Sequence, residues 1–130
     1  MRAFFDTNIL VYAFSTDQRR DRAAEVIALG GVINMQVLNE FTNVLHKKQK
    51  LAWPVIERAV ASVHRLFSDI KPLTATIHSA ALPLARYHNI SFYDALIISA
   101  ALDAECDVLF SEDLQNKRMF GALEVVNPFG

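Results

Sequence analysis

Ala3-Phe4-Phe5-Asp6-Thr7-Asn8, continuing into Ile9-Leu10-Val11-Tyr12-Ala13, is the stretch on which the fold turns. A short apolar run that stops at a polar triplet reads as a buried strand entering a turn, and the triplet opens a helix over about Asn8 to Phe14. The same grammar returns near the other end, where Val108-Leu109-Phe110 meets Ser111-Glu112-Asp113. Two buried strands each ending at carboxylates set the frame for the rest of the chain.

Between them the pattern is mainly helical. A second helix over about Asp17 to Leu29 stops at Gly30-Gly31, a helix terminator. Val32 to Asn34 is a candidate strand. Val37, Leu38, Phe41, Val44 and Leu45 recur at helical spacing from Gln36 to about Lys48. Pro54 suits the first turn of a helix to about Phe67, where its missing amide proton costs nothing. Ile70 to Leu73 is a possible strand weakened by Pro72. A helix over about Thr76 to His88 contains Pro83, which predicts a kink. Ser91 caps a helix over about Phe92 to Ala104 that is apolar nearly all round, and therefore central. Leu123 to Val126 is the last strand. Strands alternating with helices imply an α/β sandwich with a mainly parallel sheet. Ligands of such sheets bind beyond the carboxyl ends of the strands, and Asp6, Asp94 and Asp113 can converge there.

At 130 residues the chain has the size of one domain, with no linker, repeat or low-complexity segment. Hydrophobic residues make up 52% and charged residues 21%, which excludes a disordered or tail-dominated protein. The net charge of -1 is not the basic excess typical of a nucleic-acid binder. If four acids are gathered round a metal, however, the remaining surface is more basic than the total implies. Arg19-Arg20-Arg22, Lys47-Lys48-Lys50 and Lys117-Arg118 form local clusters, each of which taken alone reads as a solvated face. The single cysteine, Cys106, excludes an intramolecular disulfide and reads as a small buried hydrophobe. The apolar run before Asp6 is too short for a signal peptide, and none reaches the roughly 18 residues of a membrane span. The expectation is a cytoplasmic protein.

Asp6, Glu40, Asp94 and Asp113 each follow or lie within a hydrophobic run. Lone carboxylates are costly to desolvate, so four on apolar elements suggest a shared counter-ion, most economically a divalent metal. Three of them have an ordinary structural explanation. Asp6 or Thr7 can cap the first helix, Asp94 can complete a capping box with Ser91, and Asp113 can cap a short helix through Leu114 and Gln115. Glu40 cannot be explained so: it lies mid-helix with Gln36, Val37, Asn43 and Val44 as its neighbours, none of them basic. Three caps and one orphan would have to coincide, and the metal reading wins on the set. Oxygen ligands without a histidine or cysteine cluster select Mg2+ or Mn2+ over zinc. His46, His64, His78 and His88 show no ligand spacing, and no phosphate-cradling glycine loop or serine-hydrolase elbow is present.

Phe5-Asp6-Thr7-Asn8-Ile9, the Glu40 segment, Tyr93-Asp94-Ala95-Leu96-Ile97 and Ser111-Glu112-Asp113-Leu114-Gln115, in this order, resemble the corresponding segments of PIN-domain nucleases. The resemblance is closest to the VapC-type toxins of toxin-antitoxin pairs and extends to Val125-Val126-Asn127-Pro128-Phe129. It implies one PIN domain over residues 1–130, a three-layer sandwich whose short parallel sheet is flanked by helices. It further implies that Asp6, Glu40, Asp94 and Asp113 are the catalytic acids that bind Mg2+ or Mn2+, with Thr7, Asn8 and Ser111 as polar supports. Asn116 stands where some relatives carry a further acid, leaving one or two metals open, with Glu112 as a conceivable substitute.

The reading that follows is a metal-dependent endoribonuclease using activated water rather than a side-chain nucleophile. The resemblance implies an RNA substrate such as transfer RNA, a 5′-phosphate product, a homodimer, and a cognate antitoxin laid as a helix over the site. The basic clusters would hold phosphates and Trp53 would stack on bases. Two other classes compete: a noncatalytic module that binds RNA or protein, and a phosphomonoesterase with Asp6 as nucleophile. The second is weakened because Asn8 stands where that chemistry wants another acid.

Overall fold

The computed structural model describes residues 1–130. Its elements follow in the order β1 (Ala3–Phe5), α1 (Thr7–Ala13), α2 (Arg20–Ala28), α3 (Met35–Lys47), α4 (Trp53–Leu66), α5 (Ala75–His88), α6 (Phe92–Asp103), β2 (Val108–Phe110), β3 (Met119–Phe120) and β4 (Leu123–Val126). The sheet order is β1-β2-β4-β3. β1, β2 and β4 are parallel, and β3 closes the edge antiparallel to β4. β1 and β2 are buried at every position, as strands covered by helices on both faces must be. One contiguous apolar core draws side chains from every helix and strand. The architecture is the α/β sandwich with a short, mostly parallel sheet that the sequence implies.

The register of β1 and β2 decides where the chemistry lies. Phe5 pairs with Phe110, so the next residues of both strands, Asp6 and Ser111, emerge side by side at the carboxyl edge. Backbone bonds fix them there: Asp6 N–H donates to Phe110 O at 3.0 Å and Ser111 N–H to Val126 O at 3.1 Å.

The helices begin and end for identifiable reasons. Asn34 Oδ1 accepts from Val37 N–H to cap α3, Thr74 Oγ1 from Ile77 N–H to cap α5, and Ser91 Oγ from Asp94 N–H to cap α6. Asn89 ends α5 in the left-handed conformation at φ 51. α6 is buried from Ala95 to Ala101, the central helix anticipated from its lack of a polar face, and Ser99 Oγ is satisfied by Ile77 O of α5 at 2.8 Å. α5 runs through Pro83 as one element. Cys106 is buried.

Three expectations need correction. α2 begins at Arg20 rather than about Asp17, because the Asp17 carboxylate accepts from Arg19 N–H and its carbonyl from Arg20 N–H, which makes a turn of residues 17–19. The expected strands at 32–34 and 70–73 contract to single parallel bridges, Phe4 to Val32 and Asn34 to Lys71. β3 was not visible in the sequence; two residues joined to β4 through Gly121, at φ +62, are too short to show a period.

Candidate metal centre

Asp6 is the centre of the site. It is the N-cap of α1, with its carboxylate accepting Thr7 N–H at 2.7 Å and the Ser111 hydroxyl at 2.7 Å. The capping explanation is thus true of Asp6, yet two short bonds do not compensate its burial. Burial pushes its pKa from 3.8 up to about 6, and the charges of Asp113 and Glu40 push the same way against the two hydrogen bonds. The Ser111 hydroxyl also accepts Asp113 N–H at 3.2 Å, tying the loop after β2 to the end of β1.

Glu40 faces this point from α3. Thr7 Oγ1 donates to its Oε2 at 2.7 Å and Gln36 Nε2 to its Oε1 at 3.0 Å. Both donors are neutral, so the carboxylate is oriented without being neutralised. Asp94 lies in the first turn of α6. Only half of a capping box forms: Ser91 Oγ accepts Asp94 N–H, and the Asp94 carboxylate makes no return bond to Ser91 N–H. Burial raises its pKa, with the charge of Asp113 acting in the same direction and the Ser91 hydroxyl opposing. No helix follows Asp113, which removes its capping explanation altogether. The charge of Asp113 therefore acts on both Asp6 and Asp94, and Asp6 feels Glu40 as well.

Electrostatic coupling runs from Glu40 to Asp6, from Asp6 to Asp113 and from Asp113 to Asp94, but the four acids are not drawn into a tight cage. No three His, Cys, Asp or Glu side chains stand close enough to make a ready ligand group. Glu40 and Asp113 line a common cavity of about 560 Å3 with Thr7, Asn8 and Tyr12. The donor set is all oxygen, which fits a hard divalent cation, and burial together with the charges of Asp113 and Glu40 disfavours a bare Asp6 carboxylate. A cation would close the open set. Asn8 supports it from α1: its Oδ1 accepts Glu112 N–H at 3.3 Å, and its buried Nδ2 has no partner.

Glu112 and Asn116 have other occupations. Arg19 donates to Glu112 Oε1 at 2.7 Å and Tyr12 to Oε2, so the carboxylate is already matched by a cation. Asn116 Oδ1 accepts Asn127 N–H at 2.8 Å and braces the end of β4. The guanidinium of Arg19 also lies 4.1 Å from the Tyr12 ring centre and pairs with Asp17 at 2.8 Å. This bracket holds the Ser111–Asp113 loop from α1 and the turn before α2. Sequence reading assigns Tyr12 no role, places Arg19 in a phosphate-holding cluster where the structure pairs it with Asp17 and Glu112, and names Gln36 only as a helical neighbour of Glu40. His46 stacks on Trp53 with ring centres 4.2 Å apart, while His78 and His88 meet Phe92 and Phe120 edge-on. One face of Trp53 is therefore occupied.

The sequence matches the family model described as PIN domain over residues 3–119. A comparison with curated protein sequences finds no significant match. Among solved structures, a toxin-antitoxin complex from Klebsiella pneumoniae is similar with a TM-score of 0.74 and 20% identity, covering 97% of each chain. VapBC2 from Rickettsia felis, bound to a DNA fragment from its promoter, gives 0.68 and 18%, covering 96% of this chain and 97% of that one. Mycobacterium tuberculosis VapC20, described as a Sarcin-Ricin loop cleaving toxin, gives 0.67 and 18%, covering 85% and 91%. At these identities the structural likeness speaks for the fold, while the family match spans nearly the whole sequence. The chain belongs to the PIN domain family.

Proposed function

We propose that this protein is an endoribonuclease dependent on Mg2+ or Mn2+, acting as the toxin of a toxin-antitoxin pair. The observation that carries the reading is the buried Asp6 carboxylate, held at the carboxyl edge of the sheet among Glu40, Asp113 and Ser111 with its pKa raised to about 6. At that depth the ionised form is costly, and a cation sharing the charge would offset the cost. The similar VapC20 is a toxin that cleaves the Sarcin-Ricin loop, and two further similar structures are toxin-antitoxin assemblies, which supports an RNA substrate and an antitoxin partner here. A homodimer in the cytoplasm belongs to the same proposal; no helix is long and apolar enough to cross a membrane.

Asp6, Glu40, Asp94 and Asp113 would hold the cation, which when bound acidifies a water and offsets charge on the phosphate. The chain's own residues do the rest. Ser111 and Thr7 hold the Asp6 oxygens, and Thr7 and Gln36 fix the rotamer of Glu40. Asp113 is exposed and lines the cavity with Glu40, so that side of the site is open to solvent. The Arg19–Glu112–Tyr12 bracket keeps the loop from collapsing on the acids.

The open spacing of the acids favours a second reading, a module that binds RNA without cutting it. One experiment separates the two. RNA cleavage and thermal melting are compared with and without Mn2+ in the native protein and in Asp94→Asn. A nuclease cleaves only with the cation, melts higher with it, and loses cleavage in the variant. Binding without cleavage at millimolar Mn2+, or cleavage unchanged in Asp94→Asn, rejects the assignment.

A further inference from the structure

A polyanion approaching four carboxylates needs positive charge nearby, and the fold engages every arginine of the basic clusters. Arg19 is engaged by Asp17 and Glu112, Arg20 lies 3.5 Å from Asp21, and Arg22 reaches Pro128 O at 3.0 Å and Glu25 at 3.3 Å. Arg118 donates to His88 O at 3.1 Å and lies over the Phe120 ring at 4.9 Å. Lys47, Lys48, Lys50 and Lys117 take part in no ion pair. Of all these residues, Lys48 alone lines the cavity it shares with Glu40 and Asp113.

Its position follows from the helix. Glu40, Val44 and Lys48 are spaced four residues apart and lie on one face of α3, with Asn43 beside them. Lys48 is about two turns beyond Glu40, roughly 12 Å along the axis. Its backbone is anchored: Lys48 N–H and Gln49 N–H both donate to Val44 O, at 3.0 and 3.1 Å, and Leu51 N–H closes the helix onto Leu45 O at 3.0 Å. Lys50 makes the turn possible at φ 53. Asn43 and Gln49 line the same cavity with neutral donors. The last carbonyls of α3 would repel an anion, and an ammonium at this end offsets them.

The geometry points to a phosphate subsite at the carboxyl end of α3, where Lys48, flanked by Asn43 and Gln49, takes a phosphodiester neighbouring the one presented to the acids. The subsite rests on the nuclease reading and gives the substrate strand a direction, from the carboxyl edge of the sheet along α3. Lys48 serves as a positioning residue that touches the substrate away from the bond that breaks. Its distance from Glu40 makes the contact one of binding, so it raises affinity for the ground and transition states alike.

The test measures binding of a fluorescent single-stranded RNA in the cleavage-blocked Asp94→Asn protein with Mn2+ over a salt series. Lys48→Gln is compared with Lys48→Arg and with Arg58→Gln, an exposed charge on α4. The subsite predicts a several-fold rise in Kd for Lys48→Gln and a salt slope lower by about 0.7, the value for one single-strand phosphate contact. Lys48→Arg restores binding, and Arg58→Gln leaves it unchanged. With the acids intact, Lys48→Gln raises KM and retains kcat. If Lys48→Gln matches Arg58→Gln in affinity and slope while Asp94→Asn still abolishes cleavage, the subsite is wrong and the nuclease stands. Absence of cleavage in the native protein with Mn2+ defeats both.

Discussion

Replacing Asp6 by Asn should make the metal-free protein more stable at neutral pH while destroying its activity. The folded-state pKa of about 6 against the ordinary 3.8 means that folding favours the protonated acid. The stability this confers is complete below pH 3.8 and is lost as pH rises through about 6, because the ionised carboxylate is bound less well in the fold than in the open chain. The span corresponds to roughly 3 kcal/mol at about 1.4 kcal/mol per pH unit, an upper bound once the site relaxes. Asn keeps the cap, since its carbonyl can accept Thr7 N–H and its amide can face the Ser111 oxygen. At about 4 °C per kcal/mol for a chain of this length, Asp6→Asn should melt up to roughly 10 °C above the native protein at pH 8 in EDTA. The two should converge near pH 4. Asp94, whose pKa is also raised, adds a slope of the same sign in both proteins. Asp17, held down to about 2 by Arg19, acts only below pH 4 and leaves the window from pH 5 to 8 clear. Thermal and urea unfolding across that window decides the matter. A flat native profile, or a variant less stable at pH 8, would show that the buried carboxylate is not the strained element. Saturating Mn2+ should erase the variant's advantage by stabilising only the native protein.

Thr7→Val removes the hydroxyl bonded to Glu40 at 2.7 Å with almost no change in volume; urea titration should show a loss of about 1–2 kcal/mol, and calorimetry a weaker Mn2+ affinity. Gly31→Ala places a Cβ 2.6 Å from both Ala3 O and the Phe5 ring. Ala3 O already accepts Val32 N–H at 2.9 Å, so β1 must shift, and the unfolding midpoint should fall by the equivalent of about 1–3 kcal/mol. Arg19→Met frees Glu112 and loosens the loop that carries Asp113; hydrogen exchange at the Glu112 amide should quicken and cleavage should fall, with little change in melting temperature.

What the sequence made legible was local. The bounds of α3 and α6 follow from capping residues and apolar period, and both helices lie within a residue or so of those bounds. The carboxylates were conspicuous because each interrupts a buried run, and strand register then carries Asp6 to Ser111 across more than a hundred residues. Interactions without local periodicity were invisible. The Arg19–Glu112 and Tyr12–Glu112 bonds join distant segments, and nothing at either end announces the other. Glu112 looked available as a metal ligand for the same reason: its neighbours in sequence do not include the arginine that occupies it.

Conflict between local and global demands is expected where function requires it. Along most of the chain propensity, caps and burial agree; at Asp6 they do not, because a good N-cap residue sits at a depth that a carboxylate tolerates poorly. The neutral donors on Glu40 and the hydroxyl on Asp6 orient oxygens while leaving their charge uncancelled. Glu112, by contrast, is also a carboxylate and precedes Asp113 in the same loop, yet receives an arginine. The fold can therefore neutralise a carboxylate in this loop and does so at one position only. On the proposed reading, Glu112 braces the structure while Asp6, Glu40 and Asp113, together with Asp94, are the acids that would share a cation.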